Sequence, residues 1–114
     1  LRELDRIRSQ KLWQNGKEKQ YYTGITDTLR AYIEGRYGVN AMEKTSSEIM
    51  ESLSDKNIDK KLYNDLDELF KVADLVKFAK YVPATGENEE AIPSAVRFVN
   101  STFMQELEGE KEVN

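Results

Sequence analysis

The chain has 114 residues, enough for one domain with a single core and too few for two independent ones. Hydrophobic residues at 39% and charged residues at 33% make a globular balance, and 21 acidic against 17 basic residues leave a formal net charge of −4, which argues against nucleic acid as a partner. Cys and His are both absent, which removes disulfides, thiolate nucleophiles, the commonest general base and nearly every structural zinc site.

Leu1, Leu4, Ile7 and Leu12 fall near one face of a first helix, expected at about 2–15 and stopped by Asn15-Gly16. The chain is already in helical rhythm at Leu1, with no Met, which suggests a fragment of a longer protein. Tyr22, Ile25, Leu29, Tyr32 and Ile33 recur by threes and fours and predict a second helix at about 17–37, closed by Gly38. Gly24 and Gly35 each lower its intrinsic propensity by roughly 1 kcal/mol relative to Ala, so packing must hold it. Thr45-Ser46-Ser47-Glu48 has the pattern of a capping box and predicts a short helix at about 46–53, ended by Ser54-Asp55-Lys56-Asn57.

A fourth helix begins near Ile58. Its stripe is Ile58, Leu62, Leu66, Leu69, Ala73 and Val76, and beyond Phe70 the residues Val72, Leu75, Phe78 and Ala79 make it apolar on most sides, as expected of the centre of a core. Pro83 ends it, and Ala84 to Asn88 is expected to be a flexible loop. Ile92, Val96, Val99, Phe103 and Leu107 define a fifth helix at about 93–107, with Pro93 in its first turn. Residues from about 108 to 114 are polar and expected to fray. No strand pattern or internal repeat is present, so the class is all-α, a compact single-domain bundle of about five helices over 1–114 with some oblique crossings.

The candidate chemistry is thin. Asp55-x-Asn57-x-Asp59 opens like a calcium loop, but Lys60 stands where the sharp turn needs Gly and Leu66 where the bidentate Glu belongs. The carboxylates Asp65, Asp67, Glu68 and Asp74 form no evident catalytic pair, and Lys71 lies i+4 from Asp67 as on an ion-paired surface. The third helix as a DNA reader would present two acids and no base. Trp13, Tyr21 and Tyr22 flank the basic stretch around Lys17, where they either form a partner-binding hot spot or staple the first two helices together. Asp74 and Lys77, with Lys80, are either a polar seam in an apolar half-helix or, the preferred reading, its one exposed strip. Metal, cofactor and catalytic residues are therefore expected to be none, and the candidate partner-binding residues are Trp13, Lys17, Tyr21, Tyr22, Asp74 and Lys77.

Taken together, Lys11-Leu12-Trp13-Gln14-Asn15-Gly16-Lys17, Tyr21-Tyr22, Leu29 to Glu34, Arg36-Tyr37-Gly38-Val39, Thr45 to Ile49 and Ala73 to Ala79 resemble the soluble helical tail of uncharacterised bacterial membrane proteins associated with oxygen-tolerance (Bat-type) operons. The resemblance covers nearly the whole chain, though its motifs are caps and core positions. It implies a cytoplasmic domain tethered to the inner membrane by a segment upstream of residue 1, beside ATPase-like and von Willebrand A-type partners. The expected function is a non-catalytic protein-interaction or assembly module. The alternative is a regulatory domain that senses a small ligand in a pocket between the second and fourth helices through Tyr22, Tyr32 or Lys77.

Overall fold

A computed structural model describes residues 2–113, with side chains placed for residues 2–107. Five α-helices follow in order: α1 Arg2–Ser9, α2 Glu18–Tyr37, α3 Ser46–Leu53, α4 Lys60–Phe78 and α5 Thr85–Val113. Single 3-10 turns at Trp13–Asn15 and Ala41–Glu43 lie on either side of α2. There is no strand among the described residues, and the all-α class is as the sequence indicates. The tail expected from about residue 108 falls where side chains lie outside the described residues.

The first helix ends six residues earlier than its apolar pattern suggests. Leu12 lies five residues beyond Ile7, about 140° round a continuous helix, so a single helix could not bury both. The chain breaks instead. Lys11 takes the left-handed conformation at φ 51°, a 3-10 turn follows, and Gly16 closes it at φ 76°, a value that glycine reaches without strain. Leu4, Ile7 and Leu12 are all buried as a result.

The second and third helices match their expected limits to within a residue. Gly38 closes α2 at φ 69° with its amide on the Glu34 carbonyl. The Thr45 hydroxyl accepts from the Glu48 amide while the Glu48 carboxylate accepts from the Thr45 amide, the reciprocal box read from the sequence. α4 starts at Lys60 because the Asp59 carboxylate accepts from the amides of Lys61 and Leu62, the role open to a cap-forming residue.

The fifth helix departs most from expectation. It begins at Thr85, two turns before Pro93, and the segment expected to be a loop is its first turn. Proline within a helix removes a ladder hydrogen bond and typically costs about 3 kcal/mol, so other contacts must hold that start. The Ala84 amide donates to Glu87 Oε1 at 2.9 Å, and the Asn88 amide donates to the Ala84 carbonyl. From α2, the Tyr21 hydroxyl donates to the Asn88 carbonyl at 2.7 Å and the Tyr22 hydroxyl to Asn88 Oδ1 at 2.9 Å. Asn88 is itself buried, so these two phenols satisfy groups that have no access to water.

At the other end, the Tyr32 hydroxyl meets Thr102 Oγ1 at 2.6 Å and Arg36 reaches the Thr102 carbonyl and the Glu106 carboxylate. Contacts at 21–88, 32–102 and 36–106 show that α2 and α5 run parallel. Lys77 meets Thr26 and Arg30 lies over the Phe70 ring, which sets α4 antiparallel to α2. The core of Tyr22, Ile25, Leu29, Ile33, Phe70 and Phe98 lies between these three helices. α1 packs on α2 and α5, and α3 on α4. The C-terminal end of α4 is not the centre of this core. Leu75 is 46% exposed and Phe78 81%, because α2, α3 and α5 cover only part of a surface that is apolar nearly all round.

Two outcomes follow from these contacts. Asn88→Ala leaves the Tyr22 phenol without its acceptor inside the core and is expected to lower unfolding free energy by about 1–3 kcal/mol in a denaturant titration. A methyl group added at Gly35 would meet nothing within 4 Å, so Gly35→Ala is expected to raise stability by up to about 1 kcal/mol, whereas a side chain at Gly24 would meet Ile7 at 3.1 Å, and Gly24→Val is expected to destabilise.

Candidate functional site

The residues singled out from the sequence do not form one surface. Tyr21 and Tyr22 are 3% and 0% exposed, meet edge to face at 5.2 Å between ring centroids, and hold Asn88. They are a staple, but one that ties α2 to α5 and not the first two helices to each other, because the partner of both phenols is Asn88. Trp13 is half-buried against the core, while Lys17 is exposed and its amide bonds to the Leu12 carbonyl. Asp74 and Lys77 correct the preferred reading of an exposed strip. Asp74 accepts from the Ser46 hydroxyl at 3.1 Å and Lys77 donates to Thr26 Oγ1 at 3.0 Å, so the pair is a half-buried polar seam tying α4 to α3 and α2, with only Lys80 exposed. Burial lowers the Lys77 pKa and nearby Arg30 lowers it further, while Asp27 and Asp74 oppose the shift.

Nor do Tyr22, Tyr32 and Lys77 share a pocket between α2 and α4. Each points at a different partner: Asn88, Thr102 and Thr26 respectively. The concave surface lies elsewhere, between α4 and α5. A groove of about 370 Å³ has Tyr22, Leu69, Val72, Gly86 and Ala91 among its lining, together with the carboxylates Glu68, Glu87 and Glu90. Lys61, Asp65 and Arg97 line it as well, and they also line a second hollow of about 650 Å³ that continues towards Ile58, Ser101 and Gln105. The two therefore form one trough. From Gly86 to Gln105 it follows α5 for about 28 Å.

The charges along the trough are unequal. Its carboxylates are Asp59, Asp65, Glu68, Glu87 and Glu90, and its cations are Lys61 and Arg97. Both cations are already paired, Lys61 with Asp65 at 2.9 Å and Arg97 with Glu90. Glu68 has no ion-pair partner among the described residues, and Glu87 accepts only from neutral donors, the Ala84 amide and the Tyr81 phenol at 2.5 Å. That bond raises the Tyr81 pKa, since ionising the phenol would set two anions against each other.

Beside the upper end of the trough, Leu75, Phe78, Tyr81 and Val82 are exposed to 46%, 81%, 38% and 74%. Leu75 and Phe78 are i, i+3 neighbours on one face of α4, and the chain then turns back through Lys80 at φ 56°, with the Tyr81 amide on the Leu75 carbonyl. The sequence assigned Leu75 and Phe78 to the core, gave Glu68 only as one of several carboxylates with no evident catalytic partner, and placed Gly86 and Glu87 in a loop. The available signal was the apolar run continuing through Tyr81 and Val82 past the helix end, more apolar surface than neighbouring helices could cover. No three Asp or Glu side chains among the described residues are grouped as a metal site, and no helix there is long and apolar enough to cross a membrane.

The fold and the trough define a small all-helical domain with a groove between α4 and α5. No protein-family model, curated protein or solved structure matches the chain.

The buried phenols give the site a pH signature. Burial pushes Tyr21 up to about 12, with the Ile92 amide and Arg8 opposing, and pushes Tyr22 further in the same direction. An unfolded phenol ionises near 10. Because the folded values are the higher ones, this contribution to stability is complete below about pH 10 and is lost as pH rises from there towards 12. Absorbance at 295 nm with far-UV circular dichroism is expected to show the last tyrosines ionising together with loss of helix, whereas ionisation of all 6 Tyr near pH 10 with the helices intact would contradict the staple.

Proposed function

We propose that this chain is a non-catalytic protein-interaction module whose docking face is the α4–α5 side of the bundle. The observation that carries the reading is the exposed apolar strip at the end of α4, where Phe78 and Val82 are mostly in contact with water. Covering exposed apolar surface is favourable by roughly 25 cal/mol per Å², and exposed apolar patches commonly mark interaction surfaces. The trough beside the strip supplies shape and charge that a flat patch lacks.

The resemblance to the helical tail of Bat-type bacterial membrane proteins extends the proposal to setting. On that reading the domain is carried at the cytoplasmic face of the inner membrane by an anchor upstream of residue 1. Its partner is a protein of the same assembly.

Phe78→Ser combined with Val82→Ser removes apolar side chains that few neighbours touch, so stability is expected to change by less than about 0.5 kcal/mol. Cross-linking with mass spectrometry on the full-length protein in native membranes is expected to lose its domain-dependent partners in this variant at unchanged expression. An unchanged partner set would count against the docking face.

A further inference from the structure

We infer that the trough between α4 and α5 takes a single basic amphipathic helix from the partner protein, an inference that rests on the interaction reading above and names the chemistry of the partner. Three features of the trough select that occupant. Its length of about 28 Å matches roughly five turns of helix. Its lining includes the buried apolar residues Leu69, Val72 and Ala91, suited to an apolar stripe at i, i+3, i+4 and i+7. Its lining holds five carboxylates against two cations, each of which is paired with one of the five, so the excess negative charge complements Lys and Arg flanking that stripe and repels an acidic helix. Glu68 and Glu87 both line the trough, and neither is in an ion pair among the described residues. A basic side chain entering there meets two carboxylates and displaces no existing ion pair.

The test uses the whole chain with two synthetic 18-residue probes. Both carry leucines at helical spacing, one with lysines on its flanks and the other with glutamates in the same places. Fluorescence anisotropy is expected to show the lysine peptide binding with an affinity that falls as salt rises, and the glutamate peptide at least tenfold weaker. Gly86→Trp adds a bulky group to the lining of the trough at a position where an added Cβ meets nothing within 4 Å, so it is expected to obstruct the trough without a clash at its Cβ. Glu68→Lys reverses an exposed charge. Each variant is expected to weaken the lysine peptide tenfold or more while its thermal midpoint stays within a few degrees of the parent. Equal binding of both peptides, or binding untouched by Gly86→Trp and Glu68→Lys, would overturn the inference. The same two substitutions in the full-length protein separate it from the broader reading. Partners lost with Phe78→Ser/Val82→Ser but kept with Gly86→Trp and Glu68→Lys would leave an interaction module that does not use the trough.

Discussion

Two phenols on one helix hold the start of another, and most of the architecture depends on that contact. Tyr21 and Tyr22 project from the first turns of α2 and donate to the carbonyl and side chain of Asn88 in α5. All three residues are buried, so a slip of α5 along α2 would strand several polar groups away from water at about 1–3 kcal/mol each. The same contact offsets the weakness at Pro93, where α5 lacks one of its own ladder bonds. With Tyr32 and Arg36 on Thr102 at the far end, the parallel pair α2–α5 is fixed at two points about four turns apart along α5.

That frame decides where α4 lies and which of its faces stays open. Arg30 over the Phe70 ring, Lys77 on Thr26 and Asp74 on Ser46 join α4 to its neighbours through polar or charged groups set among apolar ones. Each such tie is directional, so the register of the helix is specified more tightly than apolar contacts alone would achieve. What remains uncovered is the side of α4 that carries Glu68 and Leu75, seven residues apart, with Val72 buried between them. Against the first turns of α5 this side forms the trough, and Tyr81 of the exposed strip reaches Glu87 on its lining. The open face is thus a consequence of packing three long helices with only two short ones.

Helix limits were legible wherever a local chemical signal set them. The capping box at Thr45 and Glu48, and Gly38 after α2, act within a few residues and need no tertiary context. Pro93 misled because its local preference for a first turn was overridden by Asn88, whose partners lie 66 and 67 residues away. The apolar run from Val72 to Phe78 misled for another reason: periodicity reports which faces are apolar, while coverage depends on how many helices surround them. Lys77 and Asp74 were recognised as a distinctive pair, but their burial depends on Thr26 and Ser46, which no spacing on α4 reveals. The trough combines residues of two helices, α4 and α5, that are distant along the chain, and so had no sequence signature.

Amide hydrogen exchange, resolved by residue, tests most directly whether the staple at Asn88 holds the start of α5 and with it the trough. Amides at Asn88 and Ile92 are expected to exchange as slowly as those of Ile25 and Leu29 in the centre of α2, while Tyr81 to Ala84 exchange rapidly. A helix protected only beyond Pro93, with the turns from Thr85 to Ile92 exchanging orders of magnitude faster than α2, would contradict the account and leave the trough without its upper wall.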